Sequence, residues 1–147
     1  MKNLITILFS IIAIVTFSQN TVIPSDILAS FNKKYPVKDS VKTEKISNEY
    51  QITFFQKGIK SIAVYTIPGV WKETKKFISQ DDVPEAISKA VEKKYKEVEF
   101  YDIYEIEGSD GLKYYELKTD TETAGYFLRL THTGTITTTK QIHSFED

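Results

Sequence analysis

Two histidines are the side chains of this sequence that come closest to a catalytic base. A serine hydrolase needs a nucleophile, a histidine base and an orienting carboxylate. His132 lies in a Thr-His-Thr-Gly segment typical of a turn, and His143 lies near the end of the chain beside Ser144. Neither has a second histidine or a carboxylate at the spacing that zinc sites use. We interpret both as exposed titratable side chains, and we predict no catalytic residue.

Pairs of acidic residues are the other candidates, because closely spaced carboxylates bind calcium or cleave glycosidic bonds. None of them matches the alternating oxygen ligands of a 12-residue calcium loop, and no pair is distinguished as a glycosidase pair. The chain has no phosphate-binding loop and no dinucleotide-binding glycine motif. We therefore predict neither a metal site nor a cofactor. The segments considered are Glu105-x-Glu107, Asp110-Gly111 and Asp120-x-Glu122.

The composition excludes several further classes of protein. The chain has 147 residues with 19 basic and 20 acidic side chains, a formal net charge of -1. This balance of charges provides no excess of positive charge for binding nucleic acid, which depends on neutralising phosphates. The chain contains no cysteine, which excludes disulfides, thiolate metal sites, cysteine nucleophiles and a lipid-modified cysteine. The length and the 41% hydrophobic content favour a single globular domain.

The N-terminal residues have the layout of a signal peptide. Lys2 supplies a positive charge, and residues 4–17 are almost wholly apolar. The small residues Thr16 and Ser18 then place a cleavage site before Gln19. The apolar run is short for a bilayer that needs roughly 20 residues, which argues against a membrane anchor. We predict that residues 1–18 are removed and that residues 19–147 are exported, periplasmic or secreted, with no membrane span.

The elements that position the remaining side chains form an internal repeat. Residues 23–35 align with residues 83–95 at a constant offset of 60. A proline opens each copy, as suits the first turn of a helix. Apolar residues then follow at helical spacing, so each copy is predicted to be an amphipathic helix of about three turns. The acidic pair Asp81-Asp82 precedes the second copy, and we interpret it as a helix cap rather than a metal site. The apolar stripes are Ile27, Leu28, Phe31 and Tyr35, and Ile87, Val91 and Tyr95.

Four strand-like segments follow each helix, separated by residues typical of turns. The segments are residues 41–46, 50–56, 60–66 and 71–77, and then residues 98–107, 113–119, 125–131 and 135–142. The turn glycines Gly69 and Gly134 correspond at an offset of 65. The sequence therefore predicts one α+β domain built from two helix-plus-four-strand antiparallel repeats, at about residues 22–80 and 81–147.

The two repeats share a set of motif residues. They are Pro24, Phe31, Tyr35-Pro36, Tyr50-x-Ile52-x-Phe54, Ala63-x-Tyr65 and Gly69-x-Trp71, repeated as Pro84, Tyr95, Tyr115-x-Leu117, Leu128-x-Leu130 and Gly134-x-Ile136. This pattern resembles the PepSY-like family of exported bacterial proteins. The resemblance implies a fold similar to that of the β-lactamase-inhibitor protein, with helices packed on one face of a sheet and the other face open. Some relatives of that shape bind and inhibit enzymes. The second repeat departs from the pattern, since Lys96 replaces a proline and Ile136 a tryptophan.

The side chains of a strand alternate between the two faces of its sheet, so burying one set exposes the other. We expect the face under the helices to bury Tyr50, Ile52, Phe54, Ala63, Tyr65, Tyr115, Leu117, Leu128 and Leu130. The open face is then predicted to carry Phe55, Val64, Tyr114, Phe127 and Arg129, which we predict to contact a partner. Aromatic residues and arginine dominate protein interfaces. The alternative is that sheet curvature or a terminal segment covers this face.

The sequence thus predicts a non-enzymatic exported module that binds, and can inhibit, a protein or peptide partner through the open face. The alternative is a periplasmic carrier or sensor of a small apolar or cationic ligand. That function requires a pocket between helix and sheet lined by Tyr35, Phe54 and Tyr95. Trp71 is expected to fill the core against the first helix rather than to contact a partner.

Overall fold

A computed structural model describes residues 22–144, so the predicted signal peptide lies outside the described residues. Two helices and eight strands make up the described chain, with a short 3-10 helix at Gln80–Asp82. In chain order they are α1 (Ser25–Lys34), β1 (Asp39–Ile46), β2 (Glu49–Gln56), β3 (Ile59–Thr66), β4 (Val70–Phe77), α2 (Glu85–Lys94), β5 (Glu99–Gly108), β6 (Lys113–Asp120), β7 (Ala124–Thr131) and β8 (Ile136–Ser144).

All eight strands form one sheet in the order in which they occur along the chain, and every neighbouring pair is antiparallel. The predicted α+β class with an antiparallel sheet is confirmed, and each predicted strand ends within two residues of the observed one. The ladder between β4 and β5 joins the first unit (α1 to β4) to the second (α2 to β8). It runs from the pair Glu73–Gly108 to the pair Phe77–Tyr104.

The two helices begin and end alike. Each starts directly after a proline and carries lysines in its last turn, where positive charge stabilises the carbonyl end of a helix. Helix α1 buries Ile27 and Phe31, as expected. Leu28 does not belong to this buried stripe, because it follows Ile27 by one residue, turns toward solvent and is 41% exposed.

The acidic pair before α2 does not cap the helix in the predicted way. The N-terminus of α2 has no side-chain hydrogen bond at its cap, which is Pro84. Asp82 instead lies in the preceding 3-10 helix and accepts a hydrogen bond from the Ser79 hydroxyl at 2.7 Å. The two acids therefore belong to the connection between the units.

Each helix covers its own hydrophobic cluster on the same sheet. All strand residues predicted to face the helices are buried there, which confirms the assignment of faces. Trp71 packs half-buried against the first cluster, as expected, and its indole N–H donates to Thr74 Oγ1 at 2.8 Å. The first cluster contains Ile27, Phe31, Tyr35, Tyr50, Ile52, Phe54, Ala63 and Tyr65, and the second contains Ile87, Val91, Ile103, Tyr115, Leu117, Leu128 and Leu130.

The matching turn glycines pack against matching positions of the two helices. Gly69 has a φ of +103°, and a Cβ placed on it would lie 2.8 Å from the carbonyl oxygen of Asp26. Gly134 has a φ of +89°, and its Cβ would lie 2.6 Å from the carbonyl oxygen of Ala86. Asp26 and Ala86 differ by the same offset of 60 that relates the helices. Glycine is needed at both turns because the helix backbone approaches too closely for a side chain.

Candidate functional site

The sheet face away from the helices, called here the open face, brings the five predicted contact residues together. Strand register places Val64 of β3 opposite Glu73 of β4, and Glu73 opposite Gly108 of β5. On the other side of the join, Glu116 of β6 lies opposite Arg129 of β7. Phe55, Tyr114 and Phe127 fall on the same face by the alternation of their strands.

The five residues differ in how much surface they present. Phe55, Tyr114 and Phe127 are half-buried, so part of each ring faces solvent. Val64 is only 2% exposed, and Ile106 on the same face is fully buried. Val64 therefore forms part of the floor of the open face, which corrects its prediction as a contact residue. The period of two assigns a side chain to a face but does not report how closely its neighbours close over it.

Four charged residues form a balanced cluster at the centre of the open face. Arg129 donates from Nη1 to Glu116 Oε1 at 2.7 Å and from Nη2 to Glu73 Oε2 at 2.8 Å. Lys75 donates to Glu116 Oε2 at 2.5 Å and lies 3.5 Å from Glu73 Oε1. Both carboxylates are buried, with 8% of Glu73 and 6% of Glu116 exposed. Arg129 thus lies on the predicted face with its guanidinium held by two carboxylates, and its contact with a partner stays a prediction.

The electrostatics of the cluster follow from this pairing. Burial raises the pKa of Glu73, but the hydrogen bond from Arg129 and the positive charges of Lys75 and Arg129 outweigh it and lower that pKa below its usual value. The guanidinium of Arg129 also lies 4.9 Å from the ring centroid of Tyr114. The hydroxyl of Tyr114 donates to Asp110 Oδ2 at 2.6 Å, which raises the pKa of Tyr114. Each carboxylate at the centre of the open face is therefore paired with a cation, and the cluster is internally compensated.

One end of the open face is an aromatic groove of about 520 Å³, whose walls include Phe55, Ile59, Phe77 and Tyr104. The rings of Phe77 and Tyr104 meet edge to face with centroids 5.8 Å apart. Phe77 is 42% exposed and Ile59 is 39% exposed, so the walls are apolar and accessible. Lys60 stands at the rim, with its ammonium 6.0 Å from the Tyr104 ring.

Sequence reasoning found only Phe55 of this aromatic groove. Phe77 ends β4 and Tyr104 lies in β5, so they meet because the two units share one sheet. Strand parity pointed to the wrong face for Phe77, because Phe77 shares the parity of Trp71, which packs against the first cluster. A register shift between Trp71 and Glu73 moves Phe77 to the open face. Nothing local in the sequence places Tyr104 opposite it.

The helix–sheet pocket required by the carrier alternative is filled by side chains. The rings of Phe31, Tyr35 and Phe54 pack with centroids 4.6 to 5.3 Å apart. Tyr35 also hydrogen-bonds to Thr74, and burial raises the pKa of Tyr35 to about 12. Tyr95 instead stacks on Tyr126 beside a separate surface cavity of about 360 Å³. Tyr35, Phe54 and Tyr95 therefore do not line one pocket, which contradicts the arrangement predicted for the carrier.

The histidines lie away from the open-face cluster. His132 is exposed in the turn between β7 and β8. His143 lies in β8, with Nε2 3.2 Å from Asp120 Oδ1. Within residues 22–144 no three histidine or acidic side chains are grouped so that they could hold a metal ion. The same part of the chain has no helix long and apolar enough to cross a membrane.

Comparison with protein families matches the chain over residues 15–66 and 54–137 to a family described as "Putative beta-lactamase-inhibitor-like, PepSY-like". The chain belongs to the PepSY-like family. The two overlapping matches reflect the two-part repeat of this PepSY-like protein. A sequence comparison with curated proteins finds no significant match.

Solved structures similar to the PepSY-like protein come from Bacteroides species. A DUF2874 family protein from Bacteroides uniformis superposes with a TM-score of 0.73 at 18% identity, covering 82% of this chain and 90% of that one. A protein from Bacteroides eggerthii described as a putative periplasmic protein gives 0.74 at 14% identity with the same coverage. A BLIP-like protein from Bacteroides fragilis gives 0.68 at 18% identity, covering 86% and 92%. At these identities the likeness establishes the fold.

Proposed function

We propose that the PepSY-like protein is a non-enzymatic exported module that binds a protein or peptide partner through the open face. The family description and the BLIP-like relative from Bacteroides fragilis support a binding role. The periplasmic description of the Bacteroides eggerthii relative supports export. Inhibition follows where the bound partner is an enzyme whose active site this face covers.

The observation that carries this proposal is the accessible aromatic groove on a sheet face that the helices leave uncovered. Its walls combine Phe55 and Phe77 of the first unit with Tyr104 of the second. Aromatic side chains that line a concavity are typical hot spots of protein interfaces. The charged residues beside the groove already pair with one another. We therefore expect them to contribute little to binding and the apolar side chains to supply most of the binding free energy. Phe127 extends the aromatic surface onto β7.

A matched pair of surface variants tests this proposal. Phe77→Ser removes an aromatic wall of the groove at a residue that is 42% exposed, and Leu28→Ser removes an apolar side chain that is 41% exposed on the outer side of α1. Each mature protein is immobilised and exposed to a cell-envelope extract of the producing organism, and retained proteins are identified by mass spectrometry. The affinity of each purified candidate is then measured by calorimetry.

We expect one retained protein to bind the unchanged chain and the Leu28→Ser variant equally and the Phe77→Ser variant at least about tenfold more weakly, as loss of a hot spot predicts. If Leu28→Ser abolishes binding and Phe77→Ser does not, the helix face is the binding surface and the proposal is wrong. Inhibition is tested separately with a β-lactamase and with any retained enzyme, by titrating its activity with the mature protein.

A further inference from the structure

We propose that the charged cluster of Glu73, Lys75, Glu116 and Arg129 is a clasp that fixes the curvature of the open face across the join of the two units. Arg129 is then a positioning residue for partner binding, and this role rests on the proposed function. The effect of the clasp on the curvature does not depend on that function. The clasp sets the distance between the aromatic side chains of the first unit and those of the second.

The contact between Arg129 and Glu73 spans an unusual distance across the sheet. Arg129 lies on β7 and Glu73 on β4, with two strands between them. Three strand spacings of about 4.8 Å separate their backbones by roughly 14 Å across the strands. The residue of β4 in line with Arg129 is Phe77, and Glu73 lies four residues away from it along β4, so the backbones are farther apart still. Their charged groups nevertheless meet at 2.8 Å. Both side chains therefore reach over β5 and β6, and a sheet curved toward the open face shortens the gap.

The path between the two residues is cleared by a glycine. Gly108 of β5 lies opposite Glu73 and has no side chain to block the bridge. A Cβ at this position would lie 2.4 Å from Asp110 Oδ1 and 3.4 Å from the ring of Tyr114. That ring lies below the guanidinium of Arg129 and supports it. Gly108 and Tyr114 thus leave room for the side chain of Arg129 on β7 to contact that of Glu73 on β4.

The clasp links the units because two of its four contacts cross the join. The first unit supplies Glu73 and Lys75, and the second supplies Glu116 and Arg129, one cation and one anion from each. Arg129 contacts Glu73 at 2.8 Å and Lys75 contacts Glu116 at 2.5 Å, and both contacts connect one unit to the other. Within the first unit the contact between Lys75 and Glu73 is longer, at 3.5 Å. The backbone ladder between β4 and β5 and the contact of Phe77 with Tyr104 also hold the open face at the join.

The contribution proposed for this buried ionic cluster is geometric rather than energetic. Two charges removed from water gain little net free energy, because the cost of desolvation offsets their attraction. The planar guanidinium of Arg129 must meet two carboxylates in fixed directions, which a lysine cannot do. The clasp therefore favours one curvature of the sheet over neighbouring ones.

Spin labels on the outermost strands measure this curvature in the protein without any partner. The chain has no cysteine, so Lys42→Cys on β1 and Lys140→Cys on β8 supply two unique labelling sites, both exposed. Pulsed electron paramagnetic resonance then gives the distribution of distances between them. The distribution is compared for the labelled parent chain and for Arg129→Lys and Glu73→Gln, each of which breaks the contact across β5 and β6. The control is Lys113→Met, which removes an exposed ion pair with Glu105 on the neighbouring strands.

We expect both clasp variants to broaden the distance distribution and shift its mean to longer values, with the control equal to the parent. Thermal unfolding of each variant is followed in parallel to verify that it remains folded. If a folded Arg129→Lys or Glu73→Gln variant keeps the parent distribution, the cluster does not set the curvature and the proposal is overturned. Since no partner is present, this outcome leaves the proposed binding function untouched, and loss of binding in Phe77→Ser leaves the clasp untouched.

Discussion

Replacing Phe54 by alanine tests the assignment of the two sheet faces most directly. Phe54 is fully buried, and its ring lies 5.1 Å from that of Phe31 and 4.6 Å from that of Tyr35. Phe55, the next residue along β2, lies on the open face and keeps part of its ring in water. The two adjacent phenylalanines are therefore a natural pair of test and control.

The expected magnitudes follow from burial. Emptying a fully buried phenylalanine site costs about 3–5 kcal/mol, because the transfer free energy of the ring and the cavity left behind both count. In a domain of this size about 1 kcal/mol corresponds to roughly 3–5 °C in the melting temperature, so Phe54→Ala should lower it by about 10–25 °C. Phe55→Ser should cost under about 1 kcal/mol, since its ring is only half-buried. Leu117→Ala in the second cluster is the equivalent of Phe54→Ala and should cost about 2–5 kcal/mol.

Thermal and urea unfolding of the mature protein followed by circular dichroism measures these differences. The free energies of unfolding are compared for the four proteins at one pH, with equal urea dependence as the check for two-state unfolding. A larger loss in Phe55→Ser than in Phe54→Ala would mean that the register of β2 is shifted by one residue and that the faces are exchanged.

Four further outcomes are expected. Gly58→Ala should cost about 1–2 kcal/mol from its left-handed backbone alone, and Gly69→Ala clearly more, because its Cβ also meets a helix carbonyl; equal losses in urea unfolding would refute that contact. Glu73 has a folded pKa below its unfolded value of about 4.5, so its contribution to stability is present above that pH and lost as the pH falls below it; the difference in melting temperature between the parent and Glu73→Gln should therefore shrink from about pH 5 downward, and a constant difference would contradict this. Fragments cut between residues 79 and 82 should show no cooperative melting, because each would be near the size at which domains become marginal; one fragment that melts cooperatively alone would make the units independent domains. N-terminal sequencing of exported protein should start at Gln19, and a start at Met1 would disprove cleavage.

Local patterns in the sequence determined the helices, the strands and the face on which most strand side chains lie. The spacing of Ile27 and Phe31 marks a helix, and the alternation around Ile52 and Phe54 marks a strand with one buried side. These features depend on a period of 3.6 or 2 residues within one element, so a single chain segment carries them. The turn glycines were also visible, because the repeat placed Gly69 and Gly134 at corresponding positions.

Only the tertiary structure decided what the open face is made of. Phe77 meets Tyr104, and Arg129 meets Glu73, because β4 and β5 pair and merge the two units into one sheet. A helix and its connections separate those two strands in the chain, and no local period reports which strands become neighbours across such a gap. The depth of Val64 was decided in the same way. Burial is a sum over neighbours that are distant in sequence, whereas periodicity reports only direction.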